Sequence, residues 1–405
     1  MNLCIQDPKY PDSYLLHEAL LEACKGAING GAVYAFVSSG GVKLLLENEI
    51  FKNLLSNGSF ELIVGIDEIT NTKTLERLGE IQNEYGGNLK VSAFLNNTKS
   101  SLFHPKFCWF ENESGGVLVT GSGNLTEKGL RKNREIFNVI EVNKENLKKV
   151  QEQWESWLNY NKELLRPIDD EEVKIKAESN RVRFIKQKIK ESIVKQKIET
   201  GLNSEGIDLE IDIEDIDLEI DIQNVDLGID IENMDEEDIE AWNYEDDDSV
   251  LVCQINKNGD RMKQANFDKD SFFYFFGAGE SDAYRKIAVF RNILENGTIC
   301  EVEERPAVAV KSQNYRFELD ALSGLNYPTD GNRPIGIFIK ISTRMFIYMV
   351  TMPDDVYYKE VKEFLYHNTP IKRSDRMKKY NTSVKELRDN CKNIPIWKNF
   401  LISKV

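Results

Sequence analysis

Over residues 1 to about 160 the hydrophobic pattern switches repeatedly between a helical and a strand-like period. Helical spacing runs from about Ser13 to Ile28. The unbroken run Gly31-Ala32-Val33-Tyr34-Ala35-Phe36-Val37 then predicts a buried strand, stopped by Ser38-Ser39-Gly40-Gly41, and a helical pattern resumes through Leu44-Leu45-Leu46. Phe60 to Ile66 reads as a second strand, Thr72 to Tyr85 as a helix and Leu89 to Leu95 as a third strand. This βαβ alternation predicts an α/β domain with a largely parallel or mixed sheet.

The pattern changes twice in the second half. Lys174 to Lys197 holds nine basic residues with Phe184, Ile185, Ile189, Ile193 and Val194 among them, which predicts an amphipathic basic helix serving as a connector. A nine-residue repeat follows, GIDLEIDIE from Gly206, DIDLEIDIQ from Asp215 and NVDLGIDIE from Asn224. Its dense like charge disfavours compaction, so a weakly ordered spacer is expected there. From about Val250 strand-like runs return at Phe272–Phe276, Cys300–Val302, Ala307–Val310, Arg316–Leu319, Ile335–Ile339 and Phe346–Val350. Helices are expected near Asp282 to Glu295 and Asp355 to Tyr366. The chain thus divides into an α/β domain over 1–165, a basic helix and acidic repeat over 166–249, and a strand-rich domain over 250–405.

Composition alters this picture in two places. At 405 residues two domains are expected. The formal charge of −16 argues against a nucleic-acid partner, but 21 of the 68 acidic residues lie between Glu205 and Asp248, a stretch without Lys or Arg. The remainder carries 47 acidic against 52 basic residues. Local basic surface, not total charge, attracts a phosphate backbone, so DNA stays admissible. Cys4, Cys24, Cys108, Cys253, Cys300 and Cys391 are far apart with no CxxC pair, which fits reduced thiols in a cytoplasmic protein. No apolar run approaches a membrane span, and the first residues resemble no signal peptide.

The chemistry concentrates in His104-Pro105-Lys106, Gly121-Ser122-Gly123-Asn124-Leu125-Thr126 and Asn133-Arg134-Glu135. His104 and Lys106 are two apart on an expected strand and so share a face. A histidine can attack phosphorus, and a neighbouring lysine can neutralise a non-bridging oxygen. Ser122 and Asn124 offer short polar groups between glycines that allow close backbone approach. Glu135 can hold an imidazole in one tautomer. No metal-ligand cluster stands out, and neither cofactor nor metal is expected. The other two histidines, His17 and His367, are expected to be structural or exposed.

This constellation resembles the HKD motif of the phospholipase D superfamily, HxK followed by GSxN and a later carboxylate. Gly129-Leu130 completes the GSxNLTxxGL form common in its nuclease branch, and the resemblance covers roughly residues 10 to 160. It implies a phosphohistidine intermediate on His104, with Lys106, Ser122, Asn124 and Glu135 supporting it, and no metal. It also implies two histidines per site. With one motif in the chain, a homodimer through the catalytic domain is expected. The whole chain resembles restriction endonucleases that join an N-terminal domain of this kind to a C-terminal DNA-reading pseudobarrel. Arg333-Pro334-Ile335-Gly336 and Met352-Pro353-Asp354-Asp355 carry that weaker likeness. Lys372, Arg373, Arg376, Lys378, Lys379 and Tyr380 are candidates for phosphate contacts. Three readings stay open: a DNA endonuclease of a restriction or phage-defence system, with or without a separate ATPase partner; a small-molecule or lipid phosphodiesterase; and a non-catalytic partner protein that keeps the fold.

Overall fold

A computed structural model of the chain describes residues 2–98, 101–199, 242–256, 264–279, 286–306, 315–329, 331–369 and 377–398. These fall into two compact units, one of residues 2–7 and 13–199 and the other of 8–12 and 242–398. The acidic repeat, the Ala307–Val310 run and the basic residues Lys372, Arg373 and Arg376 lie outside the described residues.

The first unit is built on the apolar runs read from the sequence. β2 (Asn29–Tyr34) lies parallel to β3 (Ser59–Gly65), which is parallel to β4 (Leu89–Phe94). Val33, Ile63 and Val64 are almost wholly buried, as continuous apolar strands with both faces covered should be. On the other side β2 pairs antiparallel with β5 (Lys106–Asn112), which forms a hairpin with β6 (Gly115–Gly121). β7 (Glu135–Asn143) and β1 (Asn2–Gln6) extend that edge, and β8 (Leu165–Pro167) closes the other. The resulting eight-stranded mixed sheet runs β1-β7-β6-β5-β2-β3-β4-β8.

Helices complete the layers. α1 (Leu16–Cys24), α2 (Ser39–Leu46), α3 (Glu49–Asn57) and α4 (Thr72–Tyr85) connect the early strands. The Phe51 ring of α3 meets Phe60 at 4.9 Å, and Phe60 stacks on Phe110 at 5.8 Å. α5 (Lys144–Tyr160) brings Leu147 and Trp154 onto a cluster of Val33, Ile63, Phe94 and Trp109, and the Trp154 indole donates to Glu61 at 3.1 Å. The basic stretch does form a helix, α6 (Glu171–Glu199). Its first turns are tied to the first unit: Lys176 pairs with Asp67, and the Asn180 amide donates to the carbonyls of Ile66 and Thr70 at 2.9 and 3.0 Å.

His17 is structural. It is fully buried on α1, its Nε2 donating to Leu44 O at 2.8 Å and its Nδ1 accepting from Arg131 at 2.7 Å. Burial, reinforced by the Arg131 charge, holds its pKa down to about 3, so the ring is neutral.

The second unit is rich in strands, as expected, but two runs adopt other forms. Phe272–Phe276 is a π-helical turn over Ser271–Phe275, not a strand. Phe272, Phe275 and Phe276 are buried at helical spacing while Tyr274 is exposed, and the Asp268 carboxylate accepts from both the N–H and hydroxyl of Ser271. The region expected as a helix near 282–295 instead contains β11 (Ile287–Asn292), whose β-branched residues lie between an antiparallel and a parallel neighbour. Cys300–Val302 precedes β12 (Glu303–Pro306) instead of forming a strand itself.

The main sheet of this unit runs β12-β11-β15-β14-β9-β16, with β9 (Ser249–Gln254), β14 (Ile335–Ser342), β15 (Met345–Thr351) and β16 (Lys379–Ser383). β10 (Gln264–Phe267) and β13 (Tyr315–Glu318) form a separate pair. Neither sheet closes on itself among the described residues. Phe276, Phe290, Phe317, Phe338, Phe346 and Tyr348 make the core between these elements and the π-helical turn. α7 (Tyr358–Asn368) and α8 (Val384–Asn390) pack on the main sheet. At the β14–β15 turn Thr343 and Arg344 grip the carbonyls of Pro8, Tyr10 and Pro11. Arg344, buried at φ 55°, is held in a left-handed conformation by that grip.

Candidate active site

The three motif segments meet at one end of the central strands. The main chain beyond β2 runs between two of them: Ala35 N donates to Pro105 O at 2.8 Å, while Phe36 O accepts from Leu125 N at 3.2 Å. Val37 and Leu125 form a parallel bridge. The Gly-Ser-Gly-Asn segment is packed too tightly for side chains at its flanking glycines. A β-carbon at Gly41 would fall 2.1 Å from Leu125 O, and one at Gly129 would fall 2.5 Å from Asn124 O. A π-helical turn, Lys128–Lys132, then returns the chain to β7, which starts at Glu135.

Each candidate residue has a defined place. His104 lies just before β5, exposed, with its ring 5.7 Å from that of Phe36 at an interplanar angle of 70°. No described residue hydrogen-bonds its imidazole. Lys106 Nζ donates to His104 O at 3.2 Å and lies 5.8 Å from the Phe36 centroid. Asn124 Oδ1 accepts from Phe36 N at 3.3 Å, which leaves its NH₂ group as the available donor. Ser122 Oγ donates to the Glu135 carboxylate and accepts from Ile136 N at 3.1 Å. The other Glu135 oxygen accepts from Asn133 Nδ2 at 3.1 Å.

Glu135 therefore differs from the expectation that it holds an imidazole. Within one chain it is held by Ser122, which follows β6 where that strand pairs with β7, and by Asn133, two residues before it. Its charge still reaches the site, where it opposes the lowering of the Lys106 pKa by burial.

Sequence reasoning missed Phe36, Glu68 and Gln6. Phe36 reads as one more apolar residue in a buried strand. Gln6 is fully buried opposite Glu135 in the β1–β7 register, donating to Gly129 O and Asn133 O at 3.1 and 3.0 Å. Its Oε1 accepts from Leu16 N at 2.8 Å. Nothing near Gln6 or Glu68 in sequence marks either residue.

The electrostatics of His104 yield a prediction. Burial lowers its pKa below 6.5, the Lys106 charge lowers it further and Glu68 opposes both. A nucleophilic imidazole must be neutral, so the acid limb of a rate profile should lie below pH 6.5. Glu68→Gln removes the opposing charge, lowers the His104 pKa again and should move that limb to more acid pH. A limb that stays in place or moves to higher pH in Glu68→Gln would show that Glu68 does not act on His104.

In the second unit the phosphate-contact candidates separate. Lys379 is taken by Asp268 at 2.6 Å, and the Tyr380 hydroxyl by Glu386 at 3.0 Å. Lys378 instead lies 4.7 Å from the centroid of the exposed Tyr366 ring, with Lys362 5.7 Å from the same ring. Neither of these lysines forms an ion pair among the described residues.

Among the described residues no helix is long and apolar enough to cross a membrane, and no group of three or more His, Cys, Asp and Glu could hold a metal ion. A family described as cardiolipin synthase, PLD-like domain, matches residues 39–160. No curated protein matches the chain. Among solved structures the chain is similar to Nuc of Salmonella typhimurium, a phospholipase D family member, at 17% identity and a TM-score of 0.30, over 41% of this chain and 97% of that one. NucT from Helicobacter pylori gives 13% identity and a TM-score of 0.28, over 41% and 98%. The N-terminal domain of Helicobacter pylori LlaJI.R1 gives 14% and 0.23, over 33% and 97%. The matched family span takes in His104, Lys106, Ser122, Asn124 and Glu135, and the N-terminal region of this chain is a phospholipase D-like domain.

Proposed function

We propose that the chain is a DNA endonuclease that cleaves phosphodiesters without a metal, through a phosphohistidine on His104, as a homodimer with one shared site. The observation that carries this reading is the convergence of His104, Lys106, Asn124 and the Ser122–Glu135 pair at one end of the sheet. The imidazole of His104 forms no hydrogen bond among the described residues, and burial and the Lys106 charge favour its neutral form. It attacks phosphorus, and the bond to the leaving oxygen breaks. Lys106 neutralises a non-bridging oxygen, while the Asn124 amide donates to the developing charge. The leaving oxygen needs a proton, which a second imidazole in its protonated form supplies. Water then attacks the phosphohistidine and gives its proton to the second imidazole, now neutral, while the P–N bond breaks, so that both imidazoles return to their starting forms.

A second copy of the chain is the source of that second imidazole. Within the first unit the remaining histidine, His17, does not suit the role, since it is buried and neutral. DNA is favoured over a lipid because the family resemblance lies with the nuclease branch and the second unit offers Lys362 and Lys378 for phosphate contacts. A role in a restriction or phage-defence system follows from the pairing of such a domain with a separate strand-rich unit.

The test is incubation of the purified protein with plasmid DNA and with bis(p-nitrophenyl) phosphate, both in EDTA. Nicking or linearisation of the plasmid in EDTA is expected. Cleavage of the aryl diester alone would favour a small-molecule phosphodiesterase, and cleavage of neither would leave a non-catalytic partner protein. Activity that requires added magnesium would remove the histidine mechanism.

A further inference from the structure

Phe36 touches three of the candidate residues, and no motif includes it. Its ring lies edge-on to the His104 imidazole at 5.7 Å and 70°, and the Lys106 ammonium sits 5.8 Å from its centroid. Its main-chain N–H donates to Asn124 Oδ1 at 3.3 Å. The residue is 7% exposed, and its main chain is fixed between the His104 segment and the Leu125 segment. Its position is therefore set by the sheet, not by the mobile ends of the groups it touches.

Two physical effects follow. An aromatic ring in edge contact restricts rotation of the imidazole, which no hydrogen bond among the described residues restrains. The same ring attracts the Lys106 ammonium through its quadrupole and so keeps the cation beside the histidine. Lys106 and Glu68 are the charged groups that act on His104, and Glu135 acts on Lys106, so the strength of each effect depends on where the His104 and Lys106 side chains stand.

We propose that Phe36 is a positioning residue of this site: its ring sets the imidazole of His104 and the ammonium of Lys106 in fixed relation, while its N–H presents the Asn124 amide as a donor. The proposal rests on the reading of His104 as the reacting group.

Phe36→Leu tests it, because leucine keeps an apolar side chain at the position and removes the ring. Relative to wild type, kcat on plasmid should fall on the order of 10- to 100-fold with KM changed by less than about threefold, since orientation is lost and binding is not. Phe36→Tyr should restore kcat. In the free protein, the NMR signals of the His104 ring, assigned by their loss in His104→Ala, should carry a ring-current shift that Phe36→Leu removes and Phe36→Tyr retains. If Phe36→Leu does not fold, Phe36→Met supplies the same contrast.

Wild-type kcat in Phe36→Leu, an equal loss in the leucine and tyrosine variants, or unmoved His104 signals would each overturn the proposal. If wild type cleaves nothing, the nuclease reading falls, and the NMR contrast still decides whether Phe36 holds His104.

Discussion

His104→Ala should abolish plasmid cleavage, by roughly four to six orders of magnitude in kcat, the loss seen when a covalent nucleophile is removed from a working site. The fold should survive. His104 is exposed, lies just outside β5, and forms no hydrogen bond through its ring among the described residues. Removal costs one edge contact with Phe36, worth about 1 kcal/mol. Circular dichroism and a melting temperature close to wild type would accompany the loss of activity. His104→Ala at full activity would place the chemistry elsewhere. A preparation inactive through unfolding would instead show a lowered melting temperature, so the two outcomes separate. Lys106→Gln should lose less than His104→Ala, because it removes charge stabilisation but leaves the nucleophile.

The legibility of these residues in the sequence has a physical basis. His104, Lys106, Ser122, Asn124 and Glu135 stand out as candidates because phosphoryl chemistry needs particular polar groups at short spacing, and short spacing on adjacent strands survives as a sequence pattern. The first unit was legible for a related reason. Buried strand segments such as Ala32-Val33-Tyr34 and Leu62-Ile63-Val64 are apolar on both faces and stand out as unbroken runs.

What the sequence hid depends on distant contacts. Gln6 reaches Gly129 and Asn133 only after β1 has paired with β7, and Phe36 meets His104 only after β2 has paired with β5. The second unit was harder because its apolar runs have no clear period. Phe272–Phe276 carries the composition of a strand, yet Asp268 caps it as a helical turn, a signal four residues before Phe272. Ile287–Asn292 looked helical in a charged context but pairs on both sides. In each case tertiary pairing overrode the local pattern.

Disrupting one apolar patch should lower activity in a concentration-dependent way without touching a candidate site residue. β1 is an edge strand, with one side paired to β7 and the other unpaired among the described residues. Its side chains alternate: Cys4 and Gln6 face the interior, while Leu3 and Ile5 stand 64% and 67% exposed. Ile5 lies opposite Ile136 in the register, and Ile136 is 48% exposed. These three make an apolar patch that continues directly into the site, since Ile136 N donates to Ser122 Oγ and Glu135 precedes it. Covering such side chains would contribute about 1.5–3 kcal/mol each. A second copy is the occupant that would both cover the patch and deliver the second imidazole.

Ile5→Glu with Ile136→Glu should therefore turn a dimer into a monomer by sedimentation velocity and lower the specific activity in proportion to the dimer lost. Raising the protein concentration should recover part of it by mass action. Excess His104→Ala protein, equilibrated with wild type, should depress activity below that of the wild-type fraction alone, because each mixed dimer lacks one imidazole. A monomeric Ile5→Glu/Ile136→Glu protein with full activity, or a mixture that merely dilutes, would mean that one chain holds a complete site.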